Sequence, residues 1–290
     1  MKKILTILMI MGGLSAGSFV HAEMIQIKGS DTLINLVQKL AEIYMQQNPG
    51  TYIAVTGGGS GTGVAALLNK QCDIANASRL LKQKEIDMAS ATGFMPQRVV
   101  VAIDGLSIIT NANNSVDKLT FEQVGKIYKG EIKNWKEVGG RDMPISLYGL
   151  QPNSGTYDFM LEVVLKGDYS PKMRQMNGNA QIVEAVKADV SGIGYVGVAY
   201  VKNDQRSLNV VKIASKPGAE YISPLDRDAV ISGTYTIARP LNQYIPGMAQ
   251  GEVKDFLQFE LSSEGQDIVK EEGFFPIPDE YKQFNKAAGL

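Results

Sequence analysis

Histidine and cysteine are almost absent from this chain of 290 residues, which holds one of each, His21 and Cys72. His21 lies in an N-terminal stretch expected to be removed, so the mature chain carries no imidazole. That excludes Ser-His-Asp and Cys-His nucleophilic catalysis and every histidine metal site. A lone cysteine excludes an internal disulfide. Cys72 stands in Leu67-Leu68-Asn69-Lys70-Gln71-Cys72-Asp73-Ile74, between a helical and a strand pattern, and reads as a small buried hydrophobe rather than a reactive thiol. Net charge is scarce too, at -1 for the whole chain. Nucleic acid and anionic membrane both demand a basic surface, so neither is an expected partner. Affinity for an anion must then come from a local site. Beyond the N-terminus no run is long and apolar enough to span a bilayer.

The N-terminus itself is informative. Met1-Lys2-Lys3 is a basic start, Ile4 to Val20 carries no charge, and Val20-His21-Ala22 offers the small-residue pattern of a cleavage site. The uncharged run, interrupted by Gly12, Gly13 and Gly17, is short for a membrane anchor. Residues 1–22 are therefore expected to be a signal peptide cut near Ala22/Glu23. No cysteine follows to carry a lipid, so the product is expected free in an exported aqueous compartment, most simply a periplasm.

The remaining length exceeds what one core usually serves, so two compact units are expected. Short apolar runs alternate with helical patterns, the signature of α/β layers. Ile25 to Ile27, Tyr52 to Val55, Ile145 to Tyr148, Gly192 to Gly197 and Thr234 to Ile237 read as strands. Leu33 to Tyr44, Val64 to Leu68, Ile182 to Val186 and Val253 to Phe259 read as helices, as does the stretch from Tyr157 to Val164. Thr120-Phe121-Glu122-Gln123 is a capping box. Val99 to Ile103 and Leu106 to Ile109, around Asp104-Gly105, form a long apolar stretch suited to crossing between lobes. The expected division is 23–108 with 231–290 as one lobe and 109–230 as the other.

One pattern recurs. Gly29-Ser30-Asp31-Thr32, Gly59-Ser60-Gly61-Thr62 and Asn153-Ser154-Gly155-Thr156 each follow an expected strand and open an expected helix. A helix beginning leaves N–H groups unpaired and carries partial positive charge. Small residues let an anion approach that backbone, and hydroxyls add donors. Strand ends of an open sheet are also where ligands sit. Each unit alone is equally an ordinary N-cap; their agreement points to one shared anion pocket. The run Gly57 to Gly63 is neither a Walker loop, since Val64 stands where Lys would be needed, nor a dinucleotide loop, since Thr62 takes the last glycine position.

Together with Asp73-Ile74-Ala75, Ala102-Ile103-Asp104-Gly105, Gly130-Glu131-Ile132-Lys133-Asn134-Trp135, Gly192-Ile193-Gly194-Tyr195 and Arg239-Pro240-Leu241, these units resemble, in order, the phosphate-binding proteins of ABC transporters. The resemblance covers nearly the whole mature chain. It implies a type II periplasmic-binding-protein fold of two α/β lobes, closing on inorganic phosphate and docking on a membrane ABC permease. It implies phosphate contacts from Thr32, the N–H of Leu33, Ser60, Ser154, Gly155 and Thr156. Two positions depart from the family pattern. Ser78 stands where the family has a proton-accepting aspartate, and Leu150 where it has an arginine. Arg79 is the expected substitute cation, because a guanidinium matches phosphate as a fork. Without the aspartate, discrimination against sulfate is expected to weaken. Arg98 reads as structural or solvated, Asp104 as a turn or hinge residue, and Tyr128 and Trp135 as packing.

The expected protein is thus a monomeric, non-enzymatic solute receptor without a cofactor or metal. The alternatives are an exported phosphohydrolase, for which no histidine or paired-metal carboxylate cluster is present, a receptor for sulfate, molybdate, tungstate or phosphonate, and an adhesion or signalling protein built on the same fold.

Overall fold

The computed structural model describes residues 24–202 and 206–290. The expected leader and its cleavage point lie outside the described residues.

Among the described residues the chain builds two five-stranded sheets and one two-stranded sheet. In the first lobe β1 (Met24–Gly29), β2 (Tyr52–Gly58) and β3 (Ile74–Ala77) run parallel, with β1 between its neighbours. They are linked by α1 (Ile34–Gln47) and α2 (Ser60–Leu68). Helix α1 buries Leu36, Val37, Leu40, Ala41 and Tyr44, one stripe of a 3.6-residue period. After α3 (Gln83–Ala91), β4 (Gln97–Gly105) pairs antiparallel with the late strand β12 (Ala238–Ile245), which also pairs with β3. The C-terminal helices α8 (Gly251–Leu261) and α9 (Ser263–Glu271) place Phe256, Leu257, Ile268 and Val269 in the same core as Ile27, Leu36 and Leu40. Helix α10 (Asp279–Asn285) ends on Asn285, whose side chain bonds both polar groups of Val100.

Strand β5 (Ser107–Asn111) follows β4 after Leu106 and begins the second sheet, ordered β10-β5-β9-β7-β8, where β7 is Ser146–Leu150, β8 Arg174–Met176, β9 Gly192–Val196 and β10 Leu208–Val210. β6 (Lys118–Thr120) and β11 (Lys212–Ala214) form a small ladder beside it. Helix α4 (Phe121–Lys129) opens on the expected capping box: Thr120 Oγ1 accepts the Gln123 N–H at 3.2 Å and Gln123 Oε1 accepts the Thr120 N–H at 2.8 Å. α5 (Gly155–Phe159) runs on as a π-helix through Met160–Leu165. α6 (Asn179–Ala188) packs on β9, and α7 (Arg227–Ile231) leads back toward the first lobe. Tyr128, Trp135 and Tyr195 are fully buried in this lobe's core.

The expected strand at Thr234 to Ile237 is displaced: the ladder starts at Ala238. The preceding residues are held as a turn, with the Tyr235 N–H on the Ala229 carbonyl and the Tyr235 hydroxyl on the Leu106 carbonyl. The ladder then runs through Pro240, which lacks an N–H. This is tolerated because β12 pairs only with β4 there; its pairing with β3 begins at Asn242. The crossings meet where the Leu106 N–H bonds the Ile237 carbonyl at 3.0 Å. The lobe limits expected at 108/109 and 230/231 fall inside β5 and α7.

Cys72 is buried and its thiol is pushed up to about 12 by desolvation, as an inert packing residue requires. Glu260 is the less expected core group. It is fully buried on α8; Oε1 accepts Gln243 Nε2 at 3.3 Å, while Glu260 Oε2 and Gln243 Oε1 have no donor. Burial pushes this carboxyl from 4.5 up to about 8, with the Gln243 bond acting against it. The folded state therefore holds a proton that the unfolded chain releases between those values. Stability contributed by Glu260 is intact at low pH and declines as pH rises, by at most about 1.4 kcal/mol per pH unit. Urea unfolding of wild type and Glu260→Gln at pH 5 and pH 8 checks this: the variant should gain on wild type at the higher pH, and an equal difference at both would refute a protonated Glu260.

Candidate anion-binding cleft

The three helix beginnings singled out in the sequence meet. β1, β2 and β7 end at Gly29, Gly58 and Leu150, and the turns that follow carry Ser30 and Thr32, Ser60, and Ser154 to Thr156 to one cleft between the sheets. Thr32 Oγ1 lies 3.1 Å from Thr156 Oγ1 across the lobes. Ser78, just past β3, lies 3.4 Å from Thr156 Oγ1, 3.4 Å from Ser60 Oγ and 3.0 Å from Ser30 Oγ. All five hydroxyls are buried.

Glycine makes this convergence possible at two positions. Gly59 holds φ at +89°, in the left-handed region, and a Cβ there would stand 2.7 Å from the Asn153 carbonyl oxygen. Gly155 packs so tightly on Ser60 that a Cβ would come within 2.4 Å of its Oγ. Asn153 uses this closeness to bridge the lobes: its carbonyl accepts the Gly61 N–H at 2.9 Å and its Nδ2 donates to the Gly58 carbonyl at 2.7 Å. Asp31 Oδ1 accepts the Gly58 N–H at 2.9 Å and fixes the glycine run from behind.

The cluster also holds a guanidinium that the sequence reading named only as part of a motif. Arg239 on β12 donates from Nη2 to Thr156 Oγ1 at 2.9 Å and from Nη1 to the Ser78 carbonyl at 2.9 Å. Its Nε and Nη2 reach Asp104 Oδ2 at 3.1 and 2.9 Å, and Asp104 Oδ1 accepts the Val198 N–H at 2.9 Å. The two residues are register partners on β12 and β4. Burial draws the Arg239 guanidinium below its ordinary value, and Asp104 opposes that. Asp104 thus occupies the lobe crossing as expected, but inside a strand and as the counter-charge of Arg239. The sequence holds only a non-local hint, an arginine and an aspartate each beside apolar residues in strand patterns, with nothing local to pair them.

The other expected residues are distributed as follows. Thr62 is exposed and bonds the Gly58 carbonyl. The Leu33 N–H donates to the Ser30 carbonyl at 3.1 Å. Ser154 Oγ caps its own helix, accepting the N–H groups of Thr156 and Tyr157. Leu150 is buried, with its N–H on the Tyr195 hydroxyl. Arg79 lies between carboxylates: Nη1 and Nη2 bind Glu85 at 2.8 Å each, and Nε is 2.8 Å from Asp158 Oδ2 on the opposite lobe. Lys82 joins Asp158 at 2.7 Å. Burial works against the Arg79 charge, but Glu85 and Asp158 outweigh it and hold the guanidinium above its ordinary value. This ion-pair group clamps α5 to the first lobe. Arg98 is structural, bonding Asn242 Oδ1 at 2.7 Å beneath Phe284.

Chemically, the cluster is a set of hydroxyls bonded to one another and to one guanidinium. A neutral hydrogen bond contributes roughly 0.5–1.5 kcal/mol and one to a charged group roughly 1.5–3 kcal/mol. A small anion that replaces hydroxyl–hydroxyl bonds therefore gains at each exchange. No group of three or more His, Cys, Asp or Glu side chains able to hold a metal occurs among the described residues.

Comparison with known proteins finds relatives along nearly the whole chain. A PBP superfamily domain is matched over residues 16–264. The chain is 32% identical over 269 residues to the phosphate-binding protein PstS of Pseudomonas aeruginosa, covering 86% of this chain and 82% of that one. It is 32% identical over 272 residues to PstS of Borreliella burgdorferi, covering 89% and 91%. Among solved structures, a putative phosphate ABC transporter substrate-binding protein from Clostridium perfringens, with bound phosphate, superposes with a TM-score of 0.78 at 30% identity, covering 88% of this chain and 100% of that one.

The buried pair yields a stability prediction. Arg239→Met leaves Asp104 buried without its counter-charge and should cost about 3–5 kcal/mol, while Arg239→Met with Asp104→Leu should recover most of it. Denaturant unfolding of the single and double variants checks this, and additive losses would contradict the pairing.

Proposed function

This chain belongs to the PBP superfamily and, within it, to the phosphate-binding proteins of ABC transporters, and on that premise we propose that its cleft captures inorganic phosphate for delivery to a membrane permease. The observation that carries the reading is the meeting of Thr32, Ser60, Ser78 and Thr156 hydroxyls with the Arg239 guanidinium in one buried cluster between the lobes. In the bound state Thr32, Ser60, Ser78 and Thr156 turn their hydroxyls from one another to the phosphate oxygens. The Gly155 N–H and the cap at Ser154 line the approach, while the expected Leu33 N–H is held by the Ser30 carbonyl. Arg239 supplies the positive charge, and Arg79 holds the lobes together through Asp158. The protein works without cofactor, metal or turnover, as a monomer in the exported, periplasmic compartment.

Micromolar capture requires about 8 kcal/mol, which five or six charge-assisted bonds supply after ordering and desolvation. Calorimetric titration tests the reading. Phosphate should bind at one site per chain and raise the melting temperature by mass action. The double variant Arg239→Met, Asp104→Leu should bind at least about 100-fold more weakly, and Arg79→Ala only about tenfold or less. Binding unaffected by the double variant would remove Arg239 from the site; a loss larger in Arg79→Ala would restore Arg79 as the ligand cation. Release of p-nitrophenol from its phosphate ester would favour the hydrolase instead.

The ligand's own proton gives a second test. Ser78 offers a hydroxyl where a carboxylate would repel a fully ionised anion, and the Asp104 oxygens are already filled by Arg239 and Val198. Sulfate should consequently compete, with a dissociation constant within about 100-fold of that for phosphate. Competition calorimetry decides it: sulfate that fails to displace phosphate beyond that ratio means another acceptor repels it.

A further inference from the structure

Among the described residues, one buried donor near the cleft has no partner. Asn179, the first residue of α6, is 1% exposed, and its Nδ2 makes no hydrogen bond. The orientation of the amide is fixed by its other end, because Oδ1 accepts the Gly197 N–H at 3.2 Å and a reversed amide would set two donors against each other. Leaving such a donor unpaired in the interior costs about 1–3 kcal/mol. A core position that needed only the Gly197 bond gains nothing from the NH2.

The position of this amide says what it serves. β8 pairs with β7 so that Met176 lies opposite Leu150, and the Gln151 N–H bonds the Met176 carbonyl. Helix α6 therefore begins on the same sheet edge as the Ser154 turn, one strand over. Gly197, which holds Oδ1, lies directly on the ligand cluster: a Cβ there would stand 3.0 Å from Thr32 Cγ2 and 3.4 Å from Asp104 Oδ1. The next residue, Val198, gives its N–H to Asp104. The amide oxygen is thus anchored on Gly197, the neighbour of Thr32 and Asp104, at the beginning of a ten-residue helix whose dipole favours an anion.

We propose that Asn179 is a further anion ligand, whose Nδ2 donates to an oxygen of the bound phosphate and finds its partner only when the site is filled. Asn179 brings a fourth helix beginning to the cleft and the second lobe's main side-chain donor besides Thr156. The inference rests on the phosphate reading of the same cleft.

The test uses two substitutions that separate ligand contact from scaffold. Asn179→Asp keeps an oxygen for the Gly197 N–H and the same shape, but replaces the donor by a negative charge. Asn179→Ala removes both. With the full mature chain, phosphate affinity is measured by calorimetry at pH 7 and pH 5, and the melting temperature is measured without phosphate. Asn179→Asp should bind phosphate at least about 100-fold more weakly at pH 7, where it buries a charge, and should recover part of that affinity and a melting temperature near wild type at pH 5 as the new carboxyl is protonated. Asn179→Ala should lose about tenfold in affinity. Wild-type affinity in Asn179→Asp would overturn the proposal and leave Nδ2 to a buried water. Equal, pH-independent losses in both variants, with equally lowered melting temperatures, would also overturn it, in favour of a purely structural amide. Failure of wild type itself to bind phosphate would sink the phosphate reading and this inference together, which tells the two failures apart.

Discussion

The buried pair of Arg239 and Asp104 is the constraint around which the cleft is arranged. Two opposite charges at the junction of the lobes, 4% and 0% exposed, are tolerable only because they are paired and widely hydrogen-bonded. Asp104 takes the Nε and Nη2 groups of Arg239 on one oxygen and the Val198 N–H on the other; Arg239 gives two further N–H groups to the Ser78 carbonyl and the Thr156 hydroxyl. Each of these partners belongs to a different part of the fold: the residue after β3, the turn and helix after β7, and the segment after β9. Such a pair adds little to stability compared with well-packed apolar residues. What it contributes is geometry, since these contacts tie β12 and β4 to the segments after β3, β7 and β9.

That geometry explains how a chain with net charge -1 can attract an anion. On the proposed reading the attraction is local and comes from the beginnings of α1, α2 and α5, the clustered hydroxyls, and one guanidinium that Asp104 and Thr156 share through Nη2. The remaining cations near the cleft, Arg79 and Lys82, are consumed by Glu85 and Asp158. They serve closure rather than attraction, and together with the Asn153 bridge they tie the lobes by contacts that do not touch the hydroxyl cluster. These contacts add to the bridges that Thr156 makes within the cluster to Thr32, Ser78 and Arg239.

How much of this was readable in the chain depends on the range of the signal. The helix beginnings at Ser30, Ser60 and Ser154 were legible because glycine, small hydroxyl residues and the switch from strand to helix period are all local. The α/β alternation and the crossing near Leu106 were legible for the same reason. Arg239 was not, because its meaning lies in its register with Asp104, 135 residues away. Arg79 drew attention by following Ser78 directly, yet Glu85 lies one helical start downstream with the right reach to bind it, and Asp158 arrives from the other lobe. The strand expected at Thr234 was displaced because its apolar letters match a buried turn equally well, and Pro240 reads as a strand breaker until the missing β3 neighbour at that point is known. Asn179, a polar residue at a helix start, looks like any other until the burial of its side chain is seen.

Closing two lobes on an ion also requires that the hydroxyls not hold one another too tightly. Here the hydroxyls satisfy one another at 3.0–3.4 Å, longer than the 2.7–2.8 Å typical of O–H···O bonds. These bonds are neutral, slack and easily exchanged, so a ligand meets a site that is prearranged but not locked. A tighter internal network would compete with the ligand, and a looser one would have to be ordered at binding. The spacing of Thr32, Ser60, Ser78 and Thr156 sits between those limits because strand ends, rather than flexible loops, set where each hydroxyl stands.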